Sequence, residues 1–374
     1  MQTTFHARRL IGNTGVLDFP VVTAEDGRIV EIVAGPANDS AETLSAPFFD
    51  VHVHGACAHD FMTAGPAEIH EVGRFLAGRG VGHYLPTTVT GPVDATLKAL
   101  DTLAGAIESP CVSGLAQPVG IHLEGPFVAH AKRGVHPAAS IREPDVALFD
   151  RMQQAARGHI RLMTLAPELP HALELVRHAT AAGVRVSMGH SNATLAETDA
   201  AIEAGASSAT HLFNAMRALD HREPGIAGTL LQRDDVYAEA ICDGVHVHPA
   251  MVRLWMRMKG EQRAILVTDG MSATGMPDGA YTLGDFEVQV KGGVCLLGDT
   301  LAGSVLTMDE AVANVQRFTG VPLATAVRLA SRNPAAMLGM ERLMEMRPGD
   351  AADFNVFDAA GRFTGTVRKG RRQP

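Results

Sequence analysis

The sequence places histidine, glutamate and aspartate where together they could hold a divalent cation. His52 and His54 stand two apart in the run DVHVH at 50–54. Residues i and i+2 of a strand share a face, so both imidazoles can address one ion. Glu124 follows in HLEGP at 122–126, then His190 after Gly189, His211 after Thr210, and Asp269 before Gly270. Taken singly, each has an ordinary explanation. A histidine at a strand end commonly caps or packs, Glu124 beside Gly-Pro can stabilise a turn, and an aspartate before glycine is a common turn residue. The set as a whole is a donor set for a hard-to-borderline metal such as zinc, iron, cobalt or manganese. The chemistry it points to is hydrolysis by activated water, with Asp269 taking the proton and delivering it to a leaving nitrogen.

Side chains so far apart in sequence need a scaffold that gathers them. Eight apolar runs, at 47–54, 82–88, 118–124, 160–165, 184–190, 206–211, 237–243 and 264–269, read as buried parallel strands. Helical patterns at 67–77, 94–107, 145–156, 170–182, 195–204 and 249–259 separate them. Eight strand–helix repeats predict a (β/α)8 TIM barrel of the α/β class. An open doubly wound sheet is the alternative, but no GxGxxG fingerprint marks a dinucleotide crevice. In a barrel the C-terminal strand ends form the active-site rim, and the candidate ligands fall at those ends.

Residues 1–46 and 346–374 contain short extended pieces between turn signals such as Asp26-Gly27 and Ala360-Gly361. They predict a small β-sandwich domain built from both termini, flanking a barrel over 47–345. A segment at 279–298, punctuated by Gly284-Asp285 and Gly292-Gly293, predicts a β-hairpin inserted after the eighth strand, with a helix starting near Thr307.

The chain has 374 residues, 46% of them hydrophobic and 20% charged, enough for a sizeable core. Its net charge of −9, with basic residues clustered only at 369–372, argues against nucleic acid or an anionic membrane as partner. Cys57, Cys111, Cys242 and Cys295 form no CxxC pair and read as reduced thiols. With no apolar leader at the N-terminus, they predict a cytoplasmic protein.

The motifs DVHVHG at 50–55, HLEGPF at 122–127, GHS at 189–191, HLFNAM at 211–216, REPG at 222–225, DGVH at 243–246, TDG at 268–270 and LAGSVLTM at 301–308 resemble, in order and over nearly the whole chain, the N-acetylglucosamine-6-phosphate deacetylases of the amidohydrolase superfamily. The resemblance implies Glu124, His190 and His211 as primary metal ligands. It implies His52 and His54 as the place of a second ion, with Glu124 as bridge, so one or two ions per subunit. Asp269 matches the family's acid/base. His136, with Val135 before it, matches a contact near the substrate's acetamide. Asn214, Ala215 and the stretch Leu301, Ala302, Gly303 match sugar contacts, and Arg222 and His246 match phosphate contacts. In the family the arginine serves the neighbouring subunit, which implies a homodimer. The substrate class implied is a phosphorylated N-acetyl amino sugar, with the glucosamine and galactosamine epimers not separable from the motifs.

Other readings use some of the same residues. Gly189-His190-Ser191-Asn192-Ala193 imitates a nucleophile elbow, with Asp243 and His246 or His248 as formal partners, but leaves His52, His54, Glu124 and Asp269 without a role. A non-catalytic sugar-phosphate binder has no use for Asp269 beside a metal. Arg222, read without the motif, is a surface ion pair with Glu223 or Asp220.

Overall fold

The computed structural model describes residues 2–12, 15–284 and 286–373. Its centre is a ring of eight parallel strands, Phe48–Val53, Val81–Thr88, Ile121–Glu124, Ile160–Leu165, Arg185–Met188, Ser208–Ala209, Tyr237–Ile241 and Ala264–Val267, counted here as the first to the eighth barrel strand. Each pairs with the next in chain order. The first and eighth meet through the parallel bridge Val53–Gly270, where Asp269 N donates to His52 O (2.9 Å) and His54 N to Gly270 O (2.7 Å). The fold is therefore the (β/α)8 barrel that the eight apolar runs predict.

The helices follow their local signals. Pro66–Gly78 starts on a proline, and Glu68 accepts from Gly65 N. Its buried residues Ile69, Val72, Gly73, Leu76 and Ala77 form one stripe at helical spacing. Leu195–Ala204 opens on a capping box of Thr194 and Glu197. The helix Gly225–Gln232 has no counterpart among the predicted helices. Its two glycines and the preceding Pro224 read as a turn, yet Ile226, Ala227, Leu230 and Leu231 bury against the barrel.

The terminal segments form two further sheets. One, three-stranded, contains Gln2–His6, Pro20–Glu25 and Arg28–Ala34. The other has six strands, and Phe354–Phe357 from the C-terminal end pairs antiparallel with Thr43–Ser45 from the N-terminal end. They share a core of Leu10, Val22, Ile29, Leu44, Phe354, Val356 and Val367, forming the small sandwich.

The insertion after the eighth strand differs from the expected hairpin. It is a four-stranded antiparallel meander, Gly279–Leu283, Phe286–Lys291, Val294–Leu297 and Thr300–Leu301. The turn at Gly298-Asp299 adds the last strand. Of the turn signal Gly284-Asp285, Asp285 lies outside the described residues. The meander has its own core, including Leu283, Val288, Val290 and Cys295, and its residues roof the mouth of the barrel. Thr307 precedes the helix Met308–Thr319.

Candidate metal centre

At the C-terminal mouth the candidate ligands converge. His52 and His54 project from the end of the first strand, Glu124 from the third, and His190, His211 and Asp269 from the turns after the fifth, sixth and eighth. His190, His211 and Asp269 take left-handed backbone, with φ of 47°, 30° and 51°. Such conformations are costly for non-glycine residues and cluster at functional sites. Here each bends the chain away from the strand direction and carries the side chain to the barrel axis.

The donor atoms lie close together. His190 Nε2 and His211 Nε2 are 3.1 Å apart and stand 3.2 and 3.1 Å from Glu124 Oε1. His52 Nε2 and His54 Nε2 are 3.3 Å apart, and His54 Nε2 is 3.2 Å from both Glu124 Oε2 and Asp269 Oδ1. Atoms about 2.1 Å from a tetrahedral ion stand about 3.4 Å from one another, so these spacings fit shared coordination. Two overlapping groups result, His52–His54–Glu124 and Glu124–His190–His211; Glu124 Oε1 faces His190, His211 and, at 3.5 Å, His52, while Oε2 faces His54. The residues present therefore fit a divalent ion.

The far nitrogens set the tautomers. His54 Nδ1 faces Thr87 O at 3.2 Å and His190 Nδ1 faces Lys132 O at 3.0 Å. Carbonyls only accept, so both Nδ1 atoms carry the hydrogen and both Nε2 lone pairs face the centre. His52 Nδ1 faces the Glu239 carboxylate at 3.1 Å, with the same result. His136 is opposite. Its Nδ1 receives the Thr90 backbone N–H (3.4 Å) and meets Thr90 Oγ1 at 2.6 Å, so its Nε2–H points inward, 3.8 Å from Glu124 Oε2, as a hydrogen-bond donor. Gly125 is obligatory beside it. Its φ is +81°, and a Cβ there would sit 2.1 Å from Thr90 Oγ1.

Electrostatics follow from burial and proximity. Burial pushes Asp269 up, but the charges of His52 and His54 and the His54 hydrogen bond outweigh it and hold the carboxyl well below its usual range. Burial likewise opposes ionisation of Glu124, and its histidine partners again prevail. His54 is pushed up to about 9, its burial offset by Asp269 and Glu124. The carboxylates thus demand positive charge, and protons and a divalent ion compete for the imidazoles. Burial, reinforced by His190, keeps His136 neutral.

Above the donors lies a cavity of about 450 Å³, lined by His54, Glu124, Val135, His136, His190, His211, Asn214, Ala215, His246, Asp269, Leu301 and Gly303. Of the expected contacts, two stand elsewhere. Ala302 is buried in the meander core, its N–H bonded to Cys295 O. Arg222 is exposed on the loop after the sixth strand and, among the described residues, forms no ion pair. Glu223 instead accepts from the backbone N–H groups of Leu195 and Gly225. Asp243 holds the DGVH turn, accepting from Val245 N and His246 N and from His246 Nδ1 at 2.6 Å. Although burial opposes it, this contact raises His246 above its ordinary value. Ser191 Oγ donates to Glu168 Oε2 at 2.7 Å, which makes it a tether for the loop rather than a nucleophile. His122, in contact with Thr164 Oγ1 at 2.8 Å, backs the His52 ring and is not in either donor group.

The sequence reading missed Glu239, fully buried on the seventh strand beside His52, and Asp299, Thr300, Leu283 and Val89 in the cavity wall. A lone glutamate inside the otherwise apolar run AEAIC was the available signal for Glu239.

The amidohydrolase family pattern matches residues 43–372. The chain belongs to the amidohydrolase family. This amidohydrolase is 39% identical over 366 residues, 96% of each chain, to an N-acetylgalactosamine-6-phosphate deacetylase of Escherichia coli O157:H7. It is 37% identical over 351 residues, 92% of this chain and 88% of the other, to an N-acetylglucosamine-6-phosphate deacetylase of Bacillus subtilis. Among solved structures, a mutant N-acetyl-D-glucosamine-6-phosphate deacetylase of Mycobacterium smegmatis in complex with N-acetyl-D-glucosamine-6-phosphate matches the amidohydrolase with a TM-score of 0.92 at 34% identity, over 99% of both chains.

Proposed function

We propose that this amidohydrolase removes the acetyl group of N-acetyl-D-glucosamine 6-phosphate, consuming water and releasing acetate and D-glucosamine 6-phosphate. The observation that carries the reading is the convergence of four imidazole Nε2 atoms on Glu124 and Asp269 at the floor of the cavity. It is supported by the full-length likeness to deacetylases of phosphorylated amino sugars. Held by His52, His54, Glu124, His190 and His211, one or two divalent ions, zinc or iron first and cobalt or manganese as alternatives, would lower the pKa of water at the site to about 7 and polarise the acetyl carbonyl.

The chain's own groups do the rest. Asp269, an anion 3.2 Å from His54 Nε2, takes the water's proton and passes it to the departing amine nitrogen. His136 donates its Nε2–H toward the acetamide oxygen, and its neutral state preserves that direction. Asn214, Ala215, Leu301 and Gly303 wall the sugar. His246, raised by Asp243, meets the phosphate, and Arg222 supplies its fork to the site of a second subunit in a homodimer. Leu219 on the Arg222 loop and Val245 on the next are half exposed, consistent with surfaces covered in a dimer. Residues 1–46 with 346–374 form the sandwich domain and 47–345 the catalytic barrel, with 279–298 inserted. No helix among the described residues is long and apolar enough to cross a membrane, and the reading is of a cytoplasmic enzyme.

A second reading, the galactosamine epimer as substrate, is favoured by the Escherichia coli relative. Acetate release from both hexosamine 6-phosphates, with and without chelator, tests both. Release from the glucosamine ester that chelator abolishes is expected. Faster release from the galactosamine ester would transfer the assignment, and chelator-resistant release would end the metal mechanism.

A further inference from the structure

Glu239 is fully buried at the middle of the seventh barrel strand and has no lysine or arginine partner among the described residues. An isolated buried carboxylate is expensive, and an apolar residue of similar size would pack there at lower cost. Its contacts explain its presence. Glu239 Oε2 meets His52 Nδ1 at 3.1 Å and accepts the backbone N–H of His211 at 3.2 Å. Its backbone carbonyl accepts from Leu212 N at 2.9 Å. One oxygen therefore touches a ligand from each donor group, His52 from one and His211 from the other. The other oxygen, Oε1, has no protein partner.

We infer that Glu239 is a positioning residue that sets the register between the two donor groups. By accepting the His52 Nδ1 hydrogen it fixes the ring with Nε2 inward and passes negative charge through the imidazole to whatever cation Nε2 meets. By holding the His211 amide it pins the left-handed turn that presents His211 Nε2 3.1 Å from Glu124 Oε1. His122 stands edge-on to the His52 ring at 4.6 Å between centroids, which leaves the ring little freedom once Glu239 holds its far side. This role rests on the metal-centre reading above.

The test is zinc binding by purified full-length protein, measured as ions per subunit and as affinity by chelator competition, in wild type, Glu239→Gln and Glu239→Ala. Glutamine keeps the volume and an accepting oxygen but removes the charge. Outer-shell losses typically run about 10–100-fold in metal affinity. Glu239→Gln is expected near the lower end of that range and Glu239→Ala near the upper. A cobalt-loaded form should also show altered ligand-field bands in both variants. If Glu239→Ala does not fold, Glu239→Gln alone decides. Wild-type affinity and unchanged cobalt bands in a folded Glu239→Gln would overturn the inference while leaving the centre intact. Failure of the wild-type protein itself to bind zinc or cobalt would instead remove the centre on which the inference stands.

Discussion

The interior of the barrel and the core of the terminal sandwich are both buried, yet they are built from different residues. Between its sheets the sandwich packs the apolar Leu10, Val22, Ile29, Leu44, Phe354, Val356 and Val367, while the buried Asn355 and Arg368 on the same strands donate to Gly80 O and to Ala77 O and Val81 O at the barrel. The barrel axis carries Asp50, His52, His122, Thr164, Ser187, Thr210 and Glu239, all nearly or fully buried. These groups are joined by short hydrogen bonds. His122 Nε2 meets Thr164 Oγ1, Thr164 meets Thr210 Oγ1 at 2.7 Å, Thr210 donates to Ser187 at 2.7 Å, and Thr268 donates to Asp50 at 2.6 Å. Apolar packing is non-directional and tolerates small shifts, whereas hydrogen bonds fix ring planes and tautomers. The sandwich supplies stability by burial, and the barrel axis gives up part of that burial to hold the donor set in one geometry.

The sharpest attempt to break this contrast is Asp269→Asn. General acid–base groups contribute roughly 10²–10⁴-fold, so kcat should fall by that order while substrate affinity and thermal midpoint stay near wild type. Normal acetate release by this variant would show that the barrel mouth does not work as derived. Phe354→Ala should act the other way. Removing a buried phenyl costs about 3–5 kcal/mol of stability, read by denaturant unfolding, with kcat/KM of the folded protein unchanged. A fall in kcat/KM would mean that the sandwich also shapes the site.

The smallest expected effect concerns pH. His246 lies above its ordinary 6.5 because Asp243 holds its proton against burial. A raised histidine keeps its charge below the folded-state pKa and loses it as pH rises through that value, so phosphate binding should weaken as pH climbs. In Asp243→Asn the rise in KM should begin at lower pH, with KM unchanged in acid. Superimposable KM–pH profiles would remove His246 from the phosphate site.

The barrel strands and the converging donor groups were legible because parallel strands buried on both faces are nearly continuous apolar runs, and a polar residue closing such a run stands out. His52, His54, Glu124, His190, His211 and Asp269 all have that form. Glu239 does not. It sits inside a run, where only its neighbour across the barrel gives it meaning. The Gly225–Gln232 helix was hidden by glycines that local preference assigns to turns, and tertiary packing overrode that preference. Ala302 shows a finer limit, since just past a two-residue strand at the edge of a twisted meander sequence order does not reveal which side faces the cavity.

The ring has one loosely sewn seam. The first and eighth barrel strands meet through a single bridge, and the main-chain bonds that close it belong to His52, His54, Gly55, Asp269 and Gly270. Three of the converging donor residues, His52, His54 and Asp269, are thus also part of the clasp of the hoop. Whatever draws His52, His54 and Asp269 toward a common point would pull the two loose edges together.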